Sequence, residues 1–307
     1  MRDVTHRGRA VREITHPTPG LQAGFPGVGM QSSLEVFEVA TGTVSVVLQS
    51  GQRIAAPNWD PAGGSLLVNC GGRLFRVPLE KPALVAVETG FADRCNNDHG
   101  ISPDGTTIAF SHHRGRGSEI FLMPAAGGKP VLVSPEAPSW WHGWSPDGAR
   151  LAYVAARGGS RTIDVYTIGV GGGAETRLTF GEGHCDGPDY SSDGRLIYYN
   201  CDRDGHAQIW VMGADGSGQR KLFADESVNW FPHPAPCGRW IVYLAYPPGT
   251  LGHPADVPVA LCLCDPEGGN RRRVLEFVGG QGTINVPCWA PDGSAFAFVR
   301  FGVGFGG

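Results

Sequence analysis

Methionine and charge are both scarce in this chain, at four of 307 residues and 18% respectively. No run of 18 or more apolar residues occurs, which excludes a bilayer-spanning helix and argues against a membrane partner. The opening Met1-Arg2-Asp3-Val4-Thr5-His6-Arg7 is charged but no apolar stretch follows it, so no secretory leader is read and the expected location is the cytoplasm. A net charge of −4 leaves no general basic surface for nucleic-acid phosphates. The eight cysteines contain no C-x-x-C pair and are expected to be reduced small hydrophobes in strands. Also missing are a Gly-x-Ser-x-Gly elbow, a P-loop, a dinucleotide fingerprint and a His-Glu-x-x-His helix.

Glycine and proline, by contrast, are abundant, at 47 and 24 residues, which points to short elements joined by tight turns. The turns repeat. Asp60-Pro61-Ala62-Gly63, Ser102-Pro103-Asp104-Gly105, Ser145-Pro146-Asp147-Gly148, Ser191-Ser192-Asp193-Gly194, Ala235-Pro236-Cys237-Gly238 and Ala290-Pro291-Asp292-Gly293 are spaced by 42, 43, 46, 44 and 55 residues. Proline pre-sets φ, aspartate bonds its own backbone, and glycine supplies the positive φ that leads into the next strand. A large apolar residue usually precedes each turn, and an alternating strand such as Leu151-Ala152-Tyr153-Val154 follows it. Four short strands in each repeat is the arithmetic of a propeller blade.

The expected fold is therefore all-β: a six-bladed β-propeller of four-stranded antiparallel blades over residues 31–307, preceded by an N-terminal tail at 1–30. The blades fall roughly at 53–90, 91–134, 135–179, 180–224 and 225–278. The sixth, 279–301, is completed by 33–49 in a two-plus-two strand clasp between the termini.

Repeats of the form Trp144-Ser145-Pro146-Asp147-Gly148 followed by Leu151-Ala152-Tyr153 resemble the propeller of the TolB family over roughly residues 31 to 301. The resemblance implies the fold, because this repeat carries binding, scaffolding and catalytic proteins alike.

Residues just ahead of each innermost strand converge on one mouth of the central channel. Read blade by blade, they include Asn97, Asp98 and His99, then Trp140, Trp141 and His142, then His184, Asp186 and Asp189, then Asn229, Trp230 and His233, and finally Gln281 and Asn285. Same-face loops add Arg114 and His253. Imidazoles and carboxylates at one mouth suit a divalent cation or acid–base work on a polar ligand, and tryptophans suit a sugar ring. The metal expectation rests on His99, His142, His184 and His233, with Mn, Fe, Ni, Zn or Ca as the ion. His253, Asp186 and Asp189 are the proton-transfer candidates. Asn97, Asp98, Trp140, Trp141, Asn229, Trp230, Gln281, Asn285 and Arg114 are the ligand contacts.

The layout is similar to that of oligogalacturonate lyase, a relative with the same repeat type. That resemblance implies a metal-dependent lyase, isomerase or hydrolase acting on a carbohydrate-like substrate, held among funnel histidines. The other reading is a non-catalytic scaffold for a protein partner.

Overall fold

The computed structural model describes residues 32–115 and 117–302, so the tail at 1–30 lies outside the described residues. The chain opens with β1 (Ser32–Glu38) and β2 (Val44–Ser50), an antiparallel pair that belongs to the last blade. The first blade then runs β3 (Ile54–Trp59), β4 (Ser65–Cys70), β5 (Arg73–Pro78) and β6 (Val85–Ala86). The second is β7 (Cys95–Ile101), β8 (Thr107–Arg114), β9 (Gly117–Pro124) and β10 (Val131–Leu132). The third is β11 (Ser139–Trp144), β12 (Arg150–Ala155), β13 (Asp164–Gly169) and β14 (Thr176–Arg177). The fourth is β15 (Cys185–Tyr190), β16 (Leu196–Cys201), β17 (Gln208–Gly213) and β18 (Arg220–Lys221). The fifth is β19 (Val228–Pro234), β20 (Ile241–Tyr246), β21 (Ala255–Cys264) and β22 (Arg272–Gly280), and β23 (Ala295–Phe301) returns to β1. The five four-stranded sheets are antiparallel meanders, and with the β2-β1-β23 sheet they make a six-bladed β-propeller with no helix among the described residues.

All six repeated turns close in the same way. The final glycine N–H donates to the carbonyl three residues back at 2.8–2.9 Å, as from Gly105 to Ser102 and from Gly194 to Ser191. Those glycines sit at φ between 67° and 82°, the region where a Cβ is penalised.

Two expectations are refined. The sequence predicts an alternating second strand in each blade, yet β20 is buried along its whole length and β12 and β16 along all but one residue. Neighbouring blades cover both of its faces, so both sets of side chains are apolar. The clasp is also less symmetric than two plus two. β2, β1 and β23 form a three-stranded sheet, and the segment at 281–290 occupies the innermost place with one bridge, Trp289↔Phe296. Single backbone bonds, from Ala297 to Cys288 and from Val299 to Thr283, tie that segment to β23. At the start of that segment the chain turns tightly, the Thr283 N–H donating to the Gly280 carbonyl, with Gly280 at φ 115° and Gly282 at φ 100°.

The cysteine expectation is corrected outright. Cys185 and Cys201 face each other across β15 and β16 and are joined as a disulfide, while Cys70, Cys95, Cys237, Cys262, Cys264 and Cys288 are free. Spacing could not reveal the pair, because the partners are brought together only by strand register.

Candidate functional site

The five inner strands share one irregularity, a register shift midway along their length. In three of them a residue at positive φ is followed by proline and then a polar side chain: Ala56-Pro57-Asn58, Gly187-Pro188-Asp189 and Phe231-Pro232-His233. The proline fits an inner strand because the bulge leaves its missing N–H outside the ladder. Beyond the bulge the polar residue turns sideways and bonds between blades. Asn58 donates from Nδ2 to the Pro287 carbonyl at 2.8 Å and accepts the Ile101 N–H at 2.8 Å. His233 pairs through Nδ1 with Asp189 at 3.0 Å and through Nε2 with the Ile284 carbonyl at 2.7 Å. Asp189 and His233 are thus interior blade-to-blade ties below the mouth.

Before the bulge, the chain delivers a different set of groups to the mouth. Asp186 is its centre. Its Oδ1 lies 2.9 Å from His142 Nε2 and accepts the Gly187 N–H at 2.7 Å, and its Oδ2 lies 3.4 Å from His184 Nε2 and 3.9 Å from His253 Nε2. His253 comes from the long loop between β20 and β21. Its Nδ1 donates to Gln281 Oε1 at 2.5 Å, and that same oxygen accepts from Asn285 Nδ2 at 2.9 Å. Asn285, Gln281, His253 and Asp186 therefore form a line of polar contacts from the sixth blade to the fourth.

Aromatic rings wall this cluster. Trp230 is 4.4 Å from the His253 ring and 5.9 Å from that of His184, and Phe231 lies 5.3 Å from His253 and stacks at 6.5 Å on His142. The Trp230 Nε1 donor is buried and has no acceptor among the described residues.

Electrostatics divides the two carboxylates of the mouth. Burial alone would raise Asp186, but the charge and hydrogen bond of His142, reinforced by His184, hold it well below the ordinary carboxylate range. Reciprocally, burial works against the charge on His142 and His184, and Asp186 more than offsets it, so both imidazoles are raised. Asp98 goes the other way. It is pushed up to about 7, first by burial and then by the charge of Asp186, despite His142 and despite the Asn96 Nδ2 that donates to it at 2.6 Å. The two carboxylates are thus shifted in opposite directions, the arrangement used where a site needs both an acid and a base.

The other expected residues take other roles. His99 and His142 stand at matched places three residues before their turns, yet their surroundings differ completely. His99 is sealed in the interior with no well-formed hydrogen bond at either nitrogen, and burial lowers it to about 4. Trp141 is a core side chain with no exposed surface, packed over Gly100, not a stacking platform. Trp140 is half-buried beside the cluster that contains Cys185 and Cys201. Asn229 is buried and donates to Asp225 at 3.0 Å. Arg114 lies out on the second blade, 3.6 Å from Glu119 with its guanidinium over Phe91. Asn97 is half-buried at the mouth against Gly282.

The metal expectation is not met by these donors. His142 and His184 direct Nε2 at one shared carboxylate, His233 uses both nitrogens elsewhere, and His99 is enclosed. No group of three or more His, Cys, Asp or Glu among the described residues is arranged to hold an ion. Sequence reasoning placed Asn96 at the mouth beside Asn97 but missed Phe231, whose part follows from the bulge geometry and leaves no mark in composition.

A groove of about 560 Å³ lies on the opposite face between the turns of the second and third blades, lined by Pro103, Pro146, Leu122, Trp144 and Val170. Among the described residues that line it, the ionisable groups are Asp104 and Asp147, which accept from Ser102 and Ser145 of their own turns.

Ring, bulged inner strands and a polar mouth define a propeller of the TolB repeat type. The chain belongs to the TolB β-propeller domain family, PD40, whose model matches residues 100–253. An uncharacterized protein of Agrobacterium fabrum is 46% identical over 278 residues, covering 90% of this chain and 94% of that protein. The Tol-Pal system protein TolB of Bordetella pertussis is 27% identical over 155 residues, covering 36% of this chain and 35% of its own length. Among solved structures, a putative TolB from Agrobacterium tumefaciens superposes with a TM-score of 0.87 at 45% identity, covering 90% of this chain and 99% of that one. Oligogalacturonate lyase in complex with manganese gives 0.55 at 15% identity, covering 87% and 78%, a likeness of fold alone.

Proposed function

We propose that the mouth of this propeller binds a small polar ligand, a carbohydrate or sugar acid, and can move a proton on it. The observation that carries this reading is the Asp186 carboxylate at the mouth, 2.9 Å from His142 Nε2 and 3.4 Å from His184 Nε2, with Asp98 nearby, whose carboxyl burial pushes up to about 7. The half-buried Asn97, His184, His253 and Gln281, with the Trp230 ring beside the two histidines, would supply hydrogen-bonding and stacking surface suited to a hydroxylated ring. Asp98 takes the proton-transfer place that Asp189 does not fill, since Asp189 is spent on His233. A metal would have to displace the imidazoles from Asp186, so this reading routes no step through one.

The test is calorimetric titration of the protein with glucuronate, galacturonate and the corresponding neutral sugars, with product analysis in the same samples. Saturable binding, weakened about tenfold or more in Asp186→Asn, supports the reading. Absence of binding across the panel, or equal binding by the variant, overturns it.

A second reading, a protein-interaction scaffold, is favoured by the apolar groove around Trp144 and by the Tol-Pal naming of the Bordetella relative. Binding of a partner that survives Asp186→Asn and is lost in Trp144→Ala would support it.

A further inference from the structure

The fourth blade alone carries a covalent tie at the mouth end of its inner strand among the described residues. Past the bulge between Asp186 and Asp189, β15 is held to β16 by only two pairs, Cys185↔Cys201 and Asp186↔Asn200. The same short extension carries His184 and Asp186, the two residues on which the mouth cluster turns. The first of its two pairs is covalent. At the corresponding place the other blades have Ile54↔Cys70, Cys95↔His112, Ser139↔Ala155 and Val228↔Tyr246, none of them bonded. With the other six cysteines free, the disulfide occurs in the one blade that bears Asp186.

We propose that Cys185–Cys201 is a thiol–disulfide switch: oxidised, it clamps the mouth end of β15 and holds His184 and Asp186 in place; reduced, it lets that end detach. The surrounding bonds show how a change there would spread. The Asp202 carboxylate, one residue beyond Cys201, accepts the His184 N–H at 2.7 Å. The Cys201 carbonyl accepts from Trp210 Nε1 at 3.2 Å. Asn200, one residue before it, accepts the Phe231 N–H at 3.1 Å and so positions the next blade's mouth residue. Movement of Cys201 is thus transmitted to His184 on one side and to Phe231 on the other.

The chemistry is dithiol–disulfide exchange. A thiolate of a dithiol reductant attacks one cystine sulfur, and the protein's S–S bond breaks as a mixed disulfide forms. The reductant's second thiol then displaces the remaining protein thiol, leaving two protein S–H groups and an oxidised, cyclic reductant. Both sulfurs are buried, so exchange requires the two-pair extension to open, a local event that leaves the ring closed. That the switch controls ligand binding rests on the mouth being the binding site. The switch itself does not, so its test uses no ligand.

The full chain, oxidised with diamide, is denatured in iodoacetamide without reductant and digested. A linked pair of peptides containing Cys185 and Cys201 is expected, with the other six cysteines alkylated. Hydrogen exchange of the native protein is then compared before and after dithiothreitol. Reduction should speed exchange of peptides covering 184–187 and 229–232 about tenfold or more and leave the first blade unchanged. Cys201→Ala should exchange like the reduced protein, and the reduced wild type supplies the same comparison should that variant not fold. Alkylation of both Cys185 and Cys201 after diamide, or unchanged exchange at the mouth on reduction, overturns the proposal.

Discussion

His142 reaches from the third blade to Asp186 of the fourth, Nε2 to Oδ1 at 2.9 Å, with both side chains buried. This contact ties two blades together at the mouth and fixes which of the two carboxylates there keeps its charge.

Replacing Asp186 by Asn should lower the titration of both His142 and His184, because each is raised by that carboxylate. Long-range proton–nitrogen spectra across a pH series will show it. Breaking a buried pair from one side costs about 3–5 kcal/mol. The depressed Asp186 stabilises the fold above its ordinary range, a contribution lost as pH falls through its folded value. The raised imidazoles stabilise below theirs, a contribution lost as pH rises through their folded values. The wild type's margin over the variant is therefore expected to peak between about pH 4 and 6.5 and to shrink on either side.

Asp98→Asn should act in the opposite sense. A carboxyl raised to about 7 binds more protons folded than unfolded, so its contribution is fully present below the unfolded value and is lost as pH rises through 7. Melting curves from pH 4 to 8 should show the wild type losing stability over this range relative to the variant. Parallel curves would mean that Asp98 is ionised throughout.

Gly100 is required by its neighbour. A Cβ there would fall 2.3 Å from the Trp141 ring. Gly100→Ala should cost about 1–3 kcal/mol, the price of overpacking. Trp141→Phe in the same chain should recover part of that loss, which a double-mutant cycle in urea will measure.

Arg300 grips Glu35 through Nε at 3.0 Å and Nη2 at 2.9 Å, joining the last strand to the first. Glu35 is 4% exposed, so Arg300→Ala strands a buried carboxylate. The expected loss is about 2 kcal/mol, below the fully buried case because Arg300 itself is partly solvated. Arg300→Ala/Glu35→Gln should be more stable than Arg300→Ala alone.

How much of this was legible in the sequence follows from what each feature depends on. The ring was legible because each blade's turn is a local code: proline, aspartate and glycine act within four residues. Asp186, His184, His253 and Gln281 were placed at the mouth by counting from those turns. Counting failed below the mouth. His99 and His142 have the same offset, and only the strand register separates a sealed ring from one facing Asp186. His233 and Asp189 are turned inward by a bulge whose mark, a proline inside a strand, reads locally as a contradiction. The cystine is a cross-strand pair and depends on register in the same way.

β1 pairs at once with β2 on one edge but meets β23 on the other only when synthesis is nearly complete. Ser32 pairs with Phe301, so the first blade edge stays open until nearly the whole chain has been made. Bringing such distant segments together costs only a few kcal/mol more than a short hairpin, since closure entropy grows with the logarithm of length. What length changes is timing. A chain stalled before residue 295 displays a β1 edge with nothing to cover it, free to take a strand from another nascent copy. Quality control during synthesis therefore matters more for this architecture than for one whose ends are sealed locally.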